Sequence, residues 1–145
     1  FSLPIDGDGT LSNEDLAGKP YVIYFYPKDN TPGCTTESCD FRDNYARVLA
    51  HGAQVVGVSK DSVGSHDRFK AKHDLPFPLI SDGDVSLHEG FGAWGLKKNY
   101  GREYMGTIRS TFLVGPDGVV IEAWPKVRVK GHVDAVLEAL EAWKG

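Results

Sequence analysis

Tyr21-Val22-Ile23-Tyr24-Phe25-Tyr26-Pro27, followed at once by Lys28-Asp29-Asn30-Thr31-Pro32-Gly33-Cys34, is the stretch whose reading decides the fold. Six β-prone residues in an unbroken run suit a strand buried on both faces. Pro27 ends the run, because proline has no N–H to give to a sheet ladder. Thr31 is a good N-cap, and Pro32 is well placed at a first helical position, so a helix opens there. Phe41, Tyr45, Val48 and Leu49 recur at helical spacing and give that helix one apolar face. Gly52 closes it.

The same reading extends outward in both directions. Gly7-Asp8-Gly9 is a hairpin signal within a turn-rich entry. Residues 53–59 form a second buried strand, 62–73 a charged helix, 76–81 an extended segment and 84–92 a weak helix. Residues 110–114 and 119–124 are strands joined by the turn Pro116-Asp117-Gly118. Val133, Val136, Leu137, Leu140 and Trp143 place a final amphipathic helix against the sheet. Residues 92–106, with Lys97, Lys98, Tyr100 and Arg102, read as a loop that either lines a substrate mouth or lies solvated. The order predicts a central mixed β-sheet flanked by helices on both faces. The thioredoxin-like α/β fold has this order, and 145 residues suit a single domain over 1–145.

Composition narrows the function. The apolar fraction of 41% and charged fraction of 25% are those of an ordinary globular protein. A net charge of −4 offers no footprint for nucleic acid or an anionic membrane surface. No apolar run approaches the roughly 20 residues that span a bilayer. The expectation is a cytoplasmic protein, with an exported or organellar form that has lost a leader as the alternative.

Cys34 and Cys39 are the chain's two cysteines. A disulfide between them would close a loop too short to stabilise the fold, so reactivity is the better reason for the pair. Cys34 falls in the first turn of its helix, where free N–H groups and the positive end of the helix dipole favour a thiolate. In an intact helix the two Cα atoms would lie about 8.7 Å apart and point about 140° apart. A disulfide needs less than about 7 Å, so the pair joins only if the first turns unwind. The predicted device is a redox switch: helical when reduced, locally unfolded when oxidised. The alternative is two unrelated thiols. A metal site is disfavoured, because no histidine stands near the cysteines and the five histidines are scattered. Most of those histidines are expected on the surface, and the three tryptophans are expected to pack.

Pro27 to Cys34 matches P-x-x-x-T-x-x-C, the signature of the peroxiredoxins. The run through Thr35-Thr36-Glu37-Ser38-Cys39 resembles the bacterioferritin-comigratory-protein (PrxQ) branch, as do Leu75-Pro76-Phe77-Pro78-Leu79-Ile80-Ser81-Asp82 and Arg109-Ser110-Thr111-Phe112-Leu113-Val114. The resemblance covers essentially the whole chain. It implies that Cys34 is the peroxidatic cysteine and Cys39 the resolving one, joined afterwards as an intramolecular disulfide. Thr31 would point its hydroxyl at thiolate and peroxide, and Arg109 would supply fixed positive charge. Pro27 would shield the thiolate, with backbone N–H groups of Gly33 and Cys34 as further donors. Glu37 reads equally as structural or functional, and Arg102 is a competitor to Arg109. The implied activity is reduction of hydrogen peroxide and organic hydroperoxides by a monomer, without metal or other cofactor. Thioredoxin or a similar dithiol protein would regenerate it. The rivals are a thioredoxin-type disulfide oxidoreductase, which would want C-x-x-C, and a redox-switched binding module.

Overall fold

The computed structural model describes residues 2–99 and 101–143. A five-stranded sheet is built from β3 (Tyr21–Phe25), β4 (Gln54–Ser59), β5 (Leu79–Ser81), β8 (Ser110–Val114) and β9 (Val120–Trp124), in the order β5-β4-β3-β8-β9. β3, β4 and β5 run parallel, whereas β8 and β9 are antiparallel to their neighbours. The expected mixed sheet is therefore present. The entry segment is the hairpin β1 (Ser2–Pro4) and β2 (Thr10–Ser12), which leads into α1 (Asn13–Leu16).

Why β3 needs apolar residues at every position is plain from its surroundings. Val22, Tyr24 and Tyr26 enter one core, with Phe41, Val48, Phe69, Phe77, Val136, Leu137 and Leu140. Ile23 and Phe25 enter the other, with Leu16, Val58, Ile80, Leu87 and Phe112. Successive side chains point to opposite faces, and both faces are covered by packed elements. On the first face lie α2 (Pro32–Asp43), α3 (Tyr45–Ala50), α4 (Val63–His73) and α6 (His132–Ala142). The second face receives α1 and α5 (Ser86–Phe91).

Gly57 on β4 makes one of these contacts possible. A Cβ there would stand 2.8 Å from Leu79 and 3.0 Å from the Tyr24 ring. The bare strand lets Tyr24 lie across it, stack on Phe41 at 4.7 Å and share a 2.9 Å hydrogen bond with Ser38. The middle of α2 is thereby tied to the sheet.

Three expectations are corrected. The helix read as continuous to Gly52 breaks at Asn44, whose φ of −109° and ψ of 8° are not helical. Its N–H turns back to Phe41 and its side-chain amide donates to the Asp40 carbonyl. The break rotates the apolar stripe, so Val48 stays buried while Leu49 is 49% exposed. Residues 92–106 form an antiparallel hairpin, β6 (Trp94–Asn99) with β7 (Arg102–Thr107), in place of a loop; Tyr100 lies outside the described residues. Three of the five histidines are buried: His66, His88 and His132. Each is satisfied by partners distant in sequence, which is what lets an imidazole enter a core.

Candidate active site

Cys34 is the third residue of α2, in the first turn, directly beyond the carboxyl end of β3. Its side chain is fully buried. The register of the neighbouring strand delivers the cation. β8 runs antiparallel to β3 with Ser110 opposite Phe25, so the residue before β8 meets the chain just beyond β3. That residue is Arg109. Its Nη2 donates to Cys34 Sγ at 3.1 Å, and its Nη1 donates to Glu37 Oε1 at 2.8 Å. One planar fork thus spans two acceptors a helical turn apart, a geometry that lysine cannot reproduce. Gly33 leaves room for it, since a Cβ there would lie 3.3 Å from Nη2. Arg102, the sequence competitor, is exposed on β7.

Glu37 is fully buried, and among the described residues its Oε2 has no hydrogen-bond partner. Burial pushes its carboxyl up to about 7, against the opposing pull of Arg109. His132, at the start of α6, faces that oxygen at 4.0 Å and bonds Thr111 through Nε2 at 2.8 Å. Burial first, then the Arg109 charge, lowers its imidazole to about 4, so it is neutral at pH 7. Sequence reading did not find His132, because its place depends on how α6 docks.

Thr31 is the N-cap in backbone conformation, but its side chain makes no capping bond. Its hydroxyl instead donates to the Lys28 carbonyl at 2.8 Å. Pro27 is half-buried in the loop before it. Cys39 is half-buried one turn and a half further along the helix, and both thiols are free. Burial raises the Cys39 thiol; Arg42 opposes this and Asp43 and Asp40 add to it.

A second buried network holds the loop that carries Pro27 and Thr31. Asp29 accepts from Tyr26 at 2.7 Å, Ser65 at 2.8 Å and His66 Nδ1 at 2.8 Å. The other His66 nitrogen faces the Ile80 carbonyl at 2.9 Å. Both ring nitrogens face acceptors, so both carry hydrogen and the ring is an imidazolium. Burial alone would lower His66; the Asp29 bond and charge and the Ile80 carbonyl outweigh it, and the net shift is upward from 6.5. A raised folded-state value means that this stabilisation is complete below pH 6.5 and fades as pH rises through the higher value. His66→Gln should cost about 3–5 kcal/mol on the acid side of that range, where it leaves the buried Asp29 carboxylate without its counter-charge. In urea unfolding the gap from wild type should narrow as pH rises. A gap that widens would contradict the charged pair.

Beside Arg109 a groove of about 330 Å³ is lined by Leu96, Ile108 and Val127, with Lys97 and Lys126. A larger one of about 450 Å³ lies at the opposite end of β8, around Val119–Ile121 and Trp143, away from both cysteines.

A helix-start cysteine whose sulfur meets a half-buried guanidinium, on a thioredoxin-like sheet, defines a thiol-redox enzyme. The AhpC/TSA family matches residues 1–123. Peroxiredoxin Bcp of Bacillus subtilis is 50% identical over 141 residues, spanning 96% of this chain and 90% of that one. Peroxiredoxin Bcp of Xanthomonas campestris is 54% identical over 144 residues, spanning 98% and 90%. A structure of the Xanthomonas campestris bacterioferritin comigratory protein, solved to study its alkyl peroxide reduction, superposes with a TM-score of 0.94 at 48% identity, over 98% of this chain and 90% of that one. The chain belongs to the AhpC/TSA family, among its Bcp/PrxQ peroxiredoxins, and is a thiol-dependent peroxidase. Among the described residues no helix is long and apolar enough to cross a membrane.

Proposed function

We propose that the chain reduces hydrogen peroxide and small organic hydroperoxides, with Cys34 as the peroxidatic and Cys39 as the resolving cysteine. The observation that carries this reading is the 3.1 Å contact between Arg109 Nη2 and the buried Cys34 Sγ in the first turn of the helix. The Cys34 thiolate attacks the terminal peroxide oxygen. An S–O bond forms, the O–O bond breaks, and the departing alkoxide or hydroxide takes a proton to leave as alcohol or water. Arg109 faces the atoms on which negative charge gathers, and it is fixed before the reaction begins. The apolar groove of Leu96, Ile108 and Val127 beside Arg109 suits the organic part of a hydroperoxide.

The sulfenic acid then waits on a conformational step. With α2 intact, the cysteine Cα atoms stand about 8.7 Å apart, too far to join. Unwinding must break the Glu37–Arg109 and Ser38–Tyr24 bonds. Burial restrains Cys39 within the helix, so it does not compete for peroxide there. Unwinding exposes it and restores its ordinary acidity. Cys39 sulfur then bonds Cys34 sulfur and water leaves. A dithiol protein such as thioredoxin reduces the exposed disulfide by exchange. The cycle closes within one chain, which supports a monomer. Its need for a dithiol reductant supports a reducing compartment such as the cytoplasm.

Mass spectrometry tests the cycle. Reduced protein given about one equivalent of hydrogen peroxide should lose its two thiol hydrogens and yield a linked Cys34–Cys39 peptide pair, reversed by a dithiol. Chains linked to one another, or two intact thiols, would overturn it.

A further inference from the structure

We infer that Glu37 is the group that takes up the Cys34 proton: the resting site holds a thiolate and a neutral carboxyl, one on each arm of the Arg109 guanidinium. The inference rests on Cys34 being the reactive thiol and adds where its proton goes.

Charge and geometry argue it together. The pocket holds two acids and one cation. Arg109 reaches both acids, at 3.1 Å and 2.8 Å. Among the described residues, the groups facing Glu37 from the other elements bring no second positive charge. His132 on α6 is neutral at pH 7, held there by burial and by Arg109. Tyr24 on β3 stays protonated, because burial raises it well above 10. Asp40, one turn along α2, adds a negative field. Were Cys34 and Glu37 both ionised, the pocket would carry a net negative charge. Two like charges that share one guanidinium in so buried a place disfavour each other, so ionising one favours keeping the proton on the other.

The carboxyl itself shows which acid keeps the proton. An ionised carboxylate wants donors on both oxygens. Glu37 Oε1 has the Arg109 donor; Oε2 is buried, with none among the described residues. An orphan oxygen is costly on a carboxylate and tolerable on a carboxylic acid. The proton sits on Oε2, toward His132. Cys34 Sγ is fully buried as well, but it has the guanidinium hydrogen directly upon it.

Turnover then balances. At rest, Cys34–SH and Glu37–COO⁻ exchange to Cys34–S⁻ and Glu37–COOH. With peroxide, Cys34–S⁻, ROOH and Glu37–COOH give Cys34–SOH, ROH and Glu37–COO⁻. The sulfenic acid is neutral, and Arg109 is left with the Glu37 carboxylate as its one anion. Glu37 stores the proton that the cycle returns and shares Arg109 with the sulfur.

Infrared spectroscopy of the reduced protein reads the proton directly, with no peroxide present. Wild type at neutral pH should show a protonated-carboxyl band that Glu37→Gln lacks. In Cys34→Ser the thiolate is gone, and the midpoint of that band should fall by about one pH unit or more. The ultraviolet thiolate signal should titrate as one sharp step in Glu37→Gln and as a broadened one in wild type. An ionised Glu37 in neutral wild type, or a band midpoint that Cys34→Ser does not lower, overturns the proposal. If Glu37→Gln fails to fold, the comparison of wild type with Cys34→Ser still decides it. A negative result there leaves the peroxidase reading standing, since that reading is judged by peroxide consumption.

Discussion

Cys34→Ser should consume no peroxide above the uncatalysed background, whereas Cys39→Ser should consume about one equivalent per chain and then stop. The two cysteines lie on one helix, and their surroundings separate them. Cys34 has a guanidinium 3.1 Å from sulfur. Cys39 has its acidity reduced by burial, and its neighbouring cation, Arg42, is shared with Asp43 and the His73 carbonyl. Removing Cys34 therefore removes the one sulfur poised for attack. Removing Cys39 leaves attack intact and takes away the partner that would condense with the sulfenic acid. The stalled product should react with a sulfenic-acid trap and, with excess peroxide, move on to the sulfinic acid. The measurement is peroxide loss with excess dithiol reductant, together with mass analysis of the stalled variant. Loss of the first turnover in Cys39→Ser with retention in Cys34→Ser would exchange the two roles.

How much of this was legible in the sequence depends on how local the physics is. The β3 run and the helix start at Thr31-Pro32 are set by residues next to one another, and the structure places them as read, with the strand ending at Phe25, two residues before Pro27. The proposed nucleophile, Cys34, follows from the same few residues. Arg109 lies 75 positions from Cys34, and their contact exists only through the β8–β3 register; the family resemblance singled it out, and no local pattern does. Glu37 could be placed on the same helix face as Cys34 by spacing, but its complete burial is a result of tertiary packing. Most of the five scattered histidines were expected at the surface, and His66 and His132 are buried. Their partners, Asp29 and Thr111, lie 37 and 21 positions away and are invisible to a local reading. The β6–β7 hairpin was read as a loop because Lys97, Lys98 and Arg102 look like solvated charge. Thr31 marks the opposite limit. Its helix-start position was legible, but its hydroxyl found a better acceptor in the Lys28 carbonyl than the helix N–H groups offered as donors.

Arg109→Ala should slow the second-order reaction with peroxide by about a hundred- to a thousand-fold, the usual loss when one fixed donor to developing charge is removed. Binding alone does not explain such a loss. Arg109 donates to the attacking sulfur at rest, and charge moves from sulfur to the peroxide oxygens during attack, where the same fork still faces it. A guanidinium 19% exposed acts with little screening by water, so its effect is larger than that of a surface arginine. Stability should suffer less than the loss of a buried partner implies, because Glu37, already raised to about 7, can keep its proton when the cation goes. Arg109→Lys separates charge from shape. It keeps the positive charge, but one ammonium cannot meet Sγ and Oε1 with two parallel N–H groups. Its rate should fall between those of wild type and alanine. Stopped-flow kinetics of reduced protein with excess peroxide reads all three chains. An alanine variant within a few-fold of wild type would mean that the helix start alone activates the sulfur and that the guanidinium is only packing.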